Sequence, residues 1–206
     1  MLYKNLTFLL LPGLAFSSVS NGPYIGAEVG AANQIINYTS GTFGLNTNGS
    51  DLYNASVGFL TRLNIGYNLD RYNGFELGTT YNFEASHNLP NGDGSLNTTA
   101  TTLDLSYLLY LPTFVSKWSV FGRVGVAYDW INTSVTCCDL GNSNPSGASF
   151  SDVLGAGLMY RITPHTSFRI EWIANGLIYP PGINDGSISV GTWTNQTFQL
   201  GINYHF

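Results

Sequence analysis

The feature that most constrains the fold is a regular alternation of large apolar residues with small, polar or charged ones. In residues 158–172, LMYRITPHTSFRIEW, apolar side chains occupy every second position on each side of the turn at residues 163–166. Arg161, Arg169 and Glu171 fall between them. A period of two places successive side chains on opposite faces of a β-strand. The segment is therefore predicted to be a β-hairpin with one apolar and one charged face.

Eight segments of this kind follow the N-terminal region. We predict strands at residues 23–32, 54–69, 74–85, 100–111, 118–131, 151–162, 167–175 and 193–206. Short connections (70–73, 112–117, 163–166) alternate with long ones rich in Asn, Ser, Thr and Gly (33–53, 86–99, 132–150, 176–192). Short turns at one end and long loops at the other are typical of outer-membrane barrels. The sequence predicts an all-β fold, an eight-stranded antiparallel up-and-down transmembrane β-barrel, with both chain ends on the short-turn, periplasmic side.

Alternation by itself does not say which face is outside, because a soluble barrel with an apolar interior also alternates. Charged residues make up only 9% of the chain and aromatic residues 14%, whereas about a quarter of residues are charged in soluble domains. The polar face is mostly Gly, Thr, Asn and Ser, which would make a poor soluble exterior. Its charges carry both signs, as a confined space requires for neutralisation. The composition therefore favours an apolar face turned to lipid.

The N-terminus has the features of a secretory signal peptide. Lys4 precedes an apolar run at residues 6–16, and small serines follow at Ser17, Ser18 and Ser20. Such a segment is removed from the mature protein. An anchor helix is the alternative, but the apolar run is too short and contains a Pro-Gly pair. We predict a signal peptide at residues 1–20 and a barrel domain at residues 21–206.

Charged residues on the inward face form two predicted groups. The first is an interior charge network of Glu28, Arg62, Glu76, Arg123, Arg161, Arg169 and Glu171. The second is an acidic cluster at the outer mouth, made of Glu84, Asp104 and Asp129. Three carboxylates could bind a divalent cation, but a solvated mouth partly neutralised by arginine is favoured. The adjacent Cys137 and Cys138 cannot join distant elements, and no metal site or cofactor is predicted.

Four stretches resemble a known family. They are YIGAEVG (24–30), GFELG (74–78), YRITPHTSFRIEW (160–172) and the terminal LGINYHF (200–206). With the eight-strand plan, the chain resembles the OmpA-type outer-membrane barrels over essentially the whole mature sequence. The resemblance implies a bore plugged by salt bridges, with Glu76 and Arg169 matching two family positions. Glu28 stands where OmpA itself has a lysine and Met159 where it has a glutamate, so the sign pattern is rearranged.

The same resemblance has implications for attachment to the cell wall and for assembly into the membrane. The chain ends at the eighth strand, so the peptidoglycan-binding domain of full-length OmpA, and tethering to the wall, are not expected. The last strand resembles the signal read by the barrel-assembly machinery, carried by Phe198, Leu200, Ile202, Tyr204 and Phe206.

Three functions are open at this point. The leading hypothesis is a structural and surface-interaction barrel, adhesin-like or receptor-like, embedded with lipid and lipopolysaccharide and contacting host or phage molecules through four long loops. Those loops contain no Lys or Arg, which argues against nucleic acid as a partner. A narrow pore is the alternative. An enzyme is not expected, because the candidate pair Ser86 and His87 would point to opposite faces of a strand.

Overall fold

A computed structural model describes residues 19–38, 52–88, 94–112, 117–137, 141–144, 146–185 and 188–206. It contains the strands β1 (Gly22–Tyr38), β2 (Leu52–Asn68), β3 (Asn73–Asn88), β4 (Gly94–Pro112), β5 (Trp118–Cys137), β6 (Gly141–Ser143), β7 (Ser146–Arg161), β8 (Thr166–Asn175), β9 (Gly182–Asp185) and β10 (Ile188–His205). Within these ranges, no helix has the length and apolar character that a membrane crossing needs.

Eight of the strands close into a barrel. The antiparallel order runs β1–β2–β3–β4–β5–β7–β8–β10, and β10 returns to β1. The short strands β6 and β9 add to β5 and β10 beyond the main wall. Closure leaves no strand edge unpaired along the lipid-facing part of the wall. The predicted fold class is confirmed.

The strands reach further than the sequence predicted. The β4–β5 ladder pairs Pro112 with Ser119 at one end and Gly94 with Cys137 at the other. Most of the residues assigned to the long loops are therefore paired strands, and the predicted strand ends were wrong. The physical reason is that a ladder standing in water needs no apolar outward face, so Asn, Ser and Thr continue it without an alternation that can be seen in the sequence.

The predicted division into faces is confirmed along the wall. On β2, Phe59, Leu63 and Ile65 are exposed, whereas the intervening Arg62 and Asn64 are buried. The same division answers the question raised by residues 158–172. Their apolar side chains lie on the outer face, and Arg169 and Glu171 are buried inside the barrel.

Aromatic side chains gather near both ends of the apolar band. Towards the long hairpins, Tyr128 lies 4.6 Å from Trp130 and 5.0 Å from Phe150, measured between ring centroids. Towards the short turns, Trp118 lies 4.8 Å from Tyr160. Outer-membrane barrels carry such aromatic girdles at the two membrane interfaces. The two groups therefore mark the limits of the lipid-facing wall.

The N-terminal residues of the described chain pack against the short-turn end of the barrel. Val19 is buried with Tyr24, Leu108, Tyr110, Phe121 and Met159. The carbonyl of Ser20 accepts a 2.9 Å hydrogen bond from the Asn68 amide. Two residues that the sequence assigned to the signal peptide thus contact the barrel. The signal peptide remains a prediction, since residues 1–18 lie outside the described residues.

The short β2–β3 turn gives a prediction about pH. Asp70 accepts hydrogen bonds from the backbone N–H groups of Tyr72 (2.6 Å) and Asn73 (2.8 Å), and the first of these is the main cause that lowers the pKa of this exposed carboxyl. A lowered pKa means that the carboxylate holds the turn above the ordinary aspartate pKa and releases it as the pH falls through the folded value. In a ¹³C NMR titration, Asp70 should ionise below that ordinary value. An unshifted titration would contradict these bonds.

Candidate functional site

The interior of the barrel is filled by a network of charged side chains from six strands. Three arginines, Arg62, Arg123 and Arg169, form nine ion pairs with four acids, Glu28, Glu76, Asp104 and Glu171. Each arginine pairs with three acids, and all seven side chains are almost completely buried. Period two makes these residues inward-facing, and closure of the wall brings them together across the bore. We call this set the bore network.

Glu76 is the centre of the bore network. Its Oε1 accepts from Arg62 Nη2 (3.1 Å) and Arg123 Nη2 (2.5 Å). Its Oε2 accepts from Arg169 Nη1 (2.6 Å) and from the Tyr24 hydroxyl (2.7 Å). One carboxylate therefore links side chains from four other strands across the bore. Charge-assisted hydrogen bonds of this kind are the strong ones.

Two further acids complete the arginine contacts. Glu171 accepts from Arg123 Nε at 2.6 Å and from Arg169 Nε at 2.8 Å. Asp104 holds the Arg62 guanidinium by two points, Nη1 and Nη2. The Arg169 guanidinium also lies over the Phe121 ring, 4.8 Å from its centroid, a favourable cation–π geometry.

Glu28 is the most weakly held member of the bore network. Its ion pairs with Arg62 and Arg169 are long, 3.9 and 3.7 Å. Its Oε1 accepts from the Asn64 amide at 2.7 Å, but its buried Oε2 has no hydrogen-bond partner among the described residues. Four acids face three arginines, so carboxylates are in excess and Glu28 is the one that the arginines serve least.

Apolar residues lie on both sides of the bore network. The Val19 cluster closes the short-turn end. On the other side, Ala127, Val153 and Ile173 form a second buried cluster, and Trp193 is also fully buried. The interior of an eight-stranded barrel is just wide enough for side chains to fill. The arrangement can therefore hold the strands together and block the bore.

The structure brings together six of the seven residues predicted for the interior network. The exception is Arg161, which is half-buried at the end of β7 and lies opposite Ser167 in the strand register. Arg169 lies opposite Met159 instead. The sequence places the two arginines at nearly mirrored distances from the 163–166 turn and so predicts close neighbours on the inner wall; in the register they are offset by two residues along the strand.

The predicted acidic cluster at the outer mouth is not formed. Asp104 belongs to the bore network, and Asp129 accepts hydrogen bonds from the hydroxyls of Thr102 and Ser151, each at 2.5 Å. Glu84 is exposed, because the β3–β4 register shifts between Asn82 and Ala85. A bulge of this kind exchanges the faces of the residues that follow it.

The described residues form neither a metal site nor the candidate enzyme site around Ser86 and His87. In the part of the chain that the structure describes, no group of three or more His, Cys, Asp and Glu is placed to hold a metal ion. The acid expected near the candidate pair Ser86 and His87 was Asp104 or Glu84; Ser86 is exposed, whereas Asp104 is buried in the bore network. Sequence reasoning missed Tyr24 and Asn64 as partners of the network, although their inward parity was visible in the alternation.

Comparison with known proteins agrees with this geometry. The family described as "Outer membrane protein beta-barrel domain" matches residues 6–206, almost the entire chain. The chain belongs to this family. Its place is the bacterial outer membrane, as for the barrels that it resembles. The chain has no match among curated proteins.

Several solved outer-membrane proteins share the fold of this barrel. Neisserial surface protein A aligns with a TM-score of 0.60 and 18% identity over 90% of this chain and 97% of that one. OprG of Pseudomonas aeruginosa aligns with a TM-score of 0.57 and 15% identity, over 92% of this chain and 98% of OprG. A major outer membrane protein of Thermus thermophilus aligns with a TM-score of 0.53 and 18% identity, over 89% of this chain and 99% of that protein. Identities this low concern the fold alone.

Proposed function

We propose that this outer-membrane barrel is closed to steady ion flow and acts at the cell surface, as an adhesin-like or receptor-like protein, through its four long hairpins. The bore network carries the first part of the proposal. Seven buried charged side chains form one connected network, with apolar clusters on either side. Water and ions would have to break several charge-assisted hydrogen bonds to pass.

The hairpins support the second part. Beyond the apolar band, residues of β3, β4 and β5, with Asn144 after β6, form a polar groove of about 350 Å³, lined by Glu84, Asn97, Thr99, Asn132, Thr133, Ser134 and Asn144. Its side chains are amides, hydroxyls and one acid, which suit hydrogen bonds to an uncharged polar partner such as a sugar. Polyanionic partners are disfavoured, because the long connections carry no Lys or Arg.

The bore can be tested by electrical recording. In planar bilayers, the unmodified barrel should show little or only flickering conductance. Replacing Arg169 by alanine removes a guanidinium that pairs with Glu28, Glu76 and Glu171, so the barrel should then conduct clearly. Replacing the exposed Arg71 of the β2–β3 turn is the matched control and should change nothing. Steady conductance from the unmodified protein, unaltered by the Arg169 change, would reject the closed bore and favour the narrow pore.

The orientation of the barrel is a separate prediction. We expect the long hairpins to face the outside and the short turns and both chain ends to face the periplasm. Protease added to intact cells should cut only in the long connections, for example within residues 132–150. An epitope tag at residues 70–73 should be detected only after the outer membrane is breached. Labelling of that tag on intact cells would show that the short turns face the outside and would contradict the predicted orientation.

A further inference from the structure

In the described part of the chain, the segment 176–181 separates β8 from β9. Gly176 has a φ of +69°, a left-handed conformation that glycine adopts without strain, and it turns the chain out of the strand. The Trp193 N–H donates to the Pro181 carbonyl at 2.9 Å, where pairing with β10 resumes. The segment is therefore fixed at both ends. We call it the 176–181 bulge.

The bulge lies against an acid on the outer face of the wall. Asp152 sits between the buried, inward-facing Ser151 and Val153, so its side chain points outward. In the strand register it lies opposite Val126, which is 58% exposed on the apolar face. A carboxylate facing lipid is costly, with a cost that depends on depth. Its presence in this row needs a compensating contact.

The bulge supplies that contact. The backbone N–H groups of Ile178 and Tyr179 donate to Asp152 Oδ1 at 3.0 and 2.7 Å, and the Gly176 N–H donates to the Asp152 carbonyl at 3.0 Å. The Asp152 carboxylate thus accepts two hydrogen bonds and its backbone carbonyl a third, and the residue is half-buried. In its place the bulge presents the side chains of Ile178 and Tyr179 outward.

These two side chains are among the most exposed apolar groups of the described chain, at 73% and 74%, and Phe150 on β7 is 67% exposed. Asp152 lies one outward position from Phe150, a member of the aromatic girdle at the hairpin end. The bulge is therefore continuous with the lipid-facing band at its edge. An aliphatic residue beside a tyrosine suits the boundary between acyl chains and headgroups.

We propose that the 176–181 bulge is an interfacial membrane anchor, with Ile178 and Tyr179 inserted among the lipids of the leaflet at the hairpin end and Asp152 fixing the bulge against the wall. The proposal requires that the barrel lies in a membrane. It is independent of whether the bore conducts and of what the hairpins bind.

Site-directed spin labelling tests the insertion. In a background with Cys137 and Cys138 replaced by serine, a nitroxide is attached to Ile178→Cys, and the full barrel is reconstituted in phosphatidylcholine vesicles. Val126→Cys is the lipid-facing reference and the exposed Ser134→Cys on β5 is the water-facing one. The ratio of collisions with oxygen to collisions with a water-soluble nickel chelate should match the Val126 site and exceed the Ser134 site several-fold. A ratio equal to that of Ser134 would overturn the anchor and make the bulge a docking surface in water.

A second substitution tests the role of Asp152. Replacing Asp152 by alanine removes the acceptor of both N–H groups, so the nitroxide at residue 178 should become clearly more mobile. The barrel should still shift on heating in gels, which shows that it is folded. Ser149→Ala, on the inward face of the same strand, is the matched control. Unchanged label mobility in the Asp152 variant would overturn the fixing role.

Discussion

Replacing Arg123 by alanine is expected to lower the free energy of unfolding by about 3–5 kcal/mol, as for other buried pairs that lose one partner. Arg123 contacts Glu76, Asp104 and Glu171 and has no exposed surface on its side chain. Its loss leaves two arginines facing four acids. Carboxylates, already in excess, would then be buried without enough cations.

The same charge count predicts a much smaller loss of stability when an acid of the bore network is replaced. Replacing Glu28 by glutamine leaves three arginines facing three acids and retains an oxygen for the Asn64 amide, so we expect a change within about 1 kcal/mol, the net value of a typical hydrogen bond. Urea titrations of the barrel in vesicles, followed by tryptophan fluorescence, measure both variants. Arg71→Ala in the exposed turn is the control. A Glu28 variant as unstable as the Arg123 variant would contradict the charge count.

Replacing Gly78 by leucine is expected to cost about 3 kcal/mol, at the upper end of the range for overpacking. A Cβ at residue 78 would overlap the Arg62 guanidinium, which Asp104, Glu76 and Thr80 hold in place. The leucine would therefore expel an arginine from its acids as well as crowd the bore.

The chain offers a matched control for this change. A Cβ at Gly122 on β5 would meet no atom within 4 Å, so Gly122→Leu should have an unfolding midpoint close to that of the parent. Equal midpoints for the two leucine variants in the same urea titration would show that the space beside Arg62 is not limiting. In a double-mutant cycle, Gly78→Leu should cost less in an Arg62→Met background than in the parent if the guanidinium is the group displaced.

The sequence predicted the fold and most of the bore network because both depend on parity along a strand. A residue such as Glu76 or Arg169 is inward whatever the register of its neighbours, and a closed wall leaves one bore for all of them. The parity of a residue along its strand does not give its position along the barrel axis. Asp104 was predicted at the mouth, but tilt and stagger of the strands place it beside Arg62.

Other features depend on local geometry that the alternation does not carry. The register shift between Asn82 and Ala85 turns Glu84 to the outside, and no residue in this stretch predicts the shift. The β7–β8 register places Arg161 opposite Ser167 and Arg169 opposite Met159, an offset that distances from the turn do not show. The excursion at residues 176–181 lay inside a predicted loop, so the role of Asp152 could be recognised only from its bonds to Ile178 and Tyr179.

The length of the β4–β5 ladder has a consequence for recognition at a distance. Its 19 residues of β4, at about 3.3 Å each and tilted by about 40°, rise roughly 45 Å. The apolar band of such barrels is about 25 Å tall, so roughly 20 Å of the ladder extends past it, towards the end where Gly94 pairs with Cys137. A partner bound at that end would be held at a separation fixed by hydrogen-bonded strands, without the entropy cost that a flexible tether would add. Substitutions at that end are expected to alter what is bound while the barrel below keeps its stability.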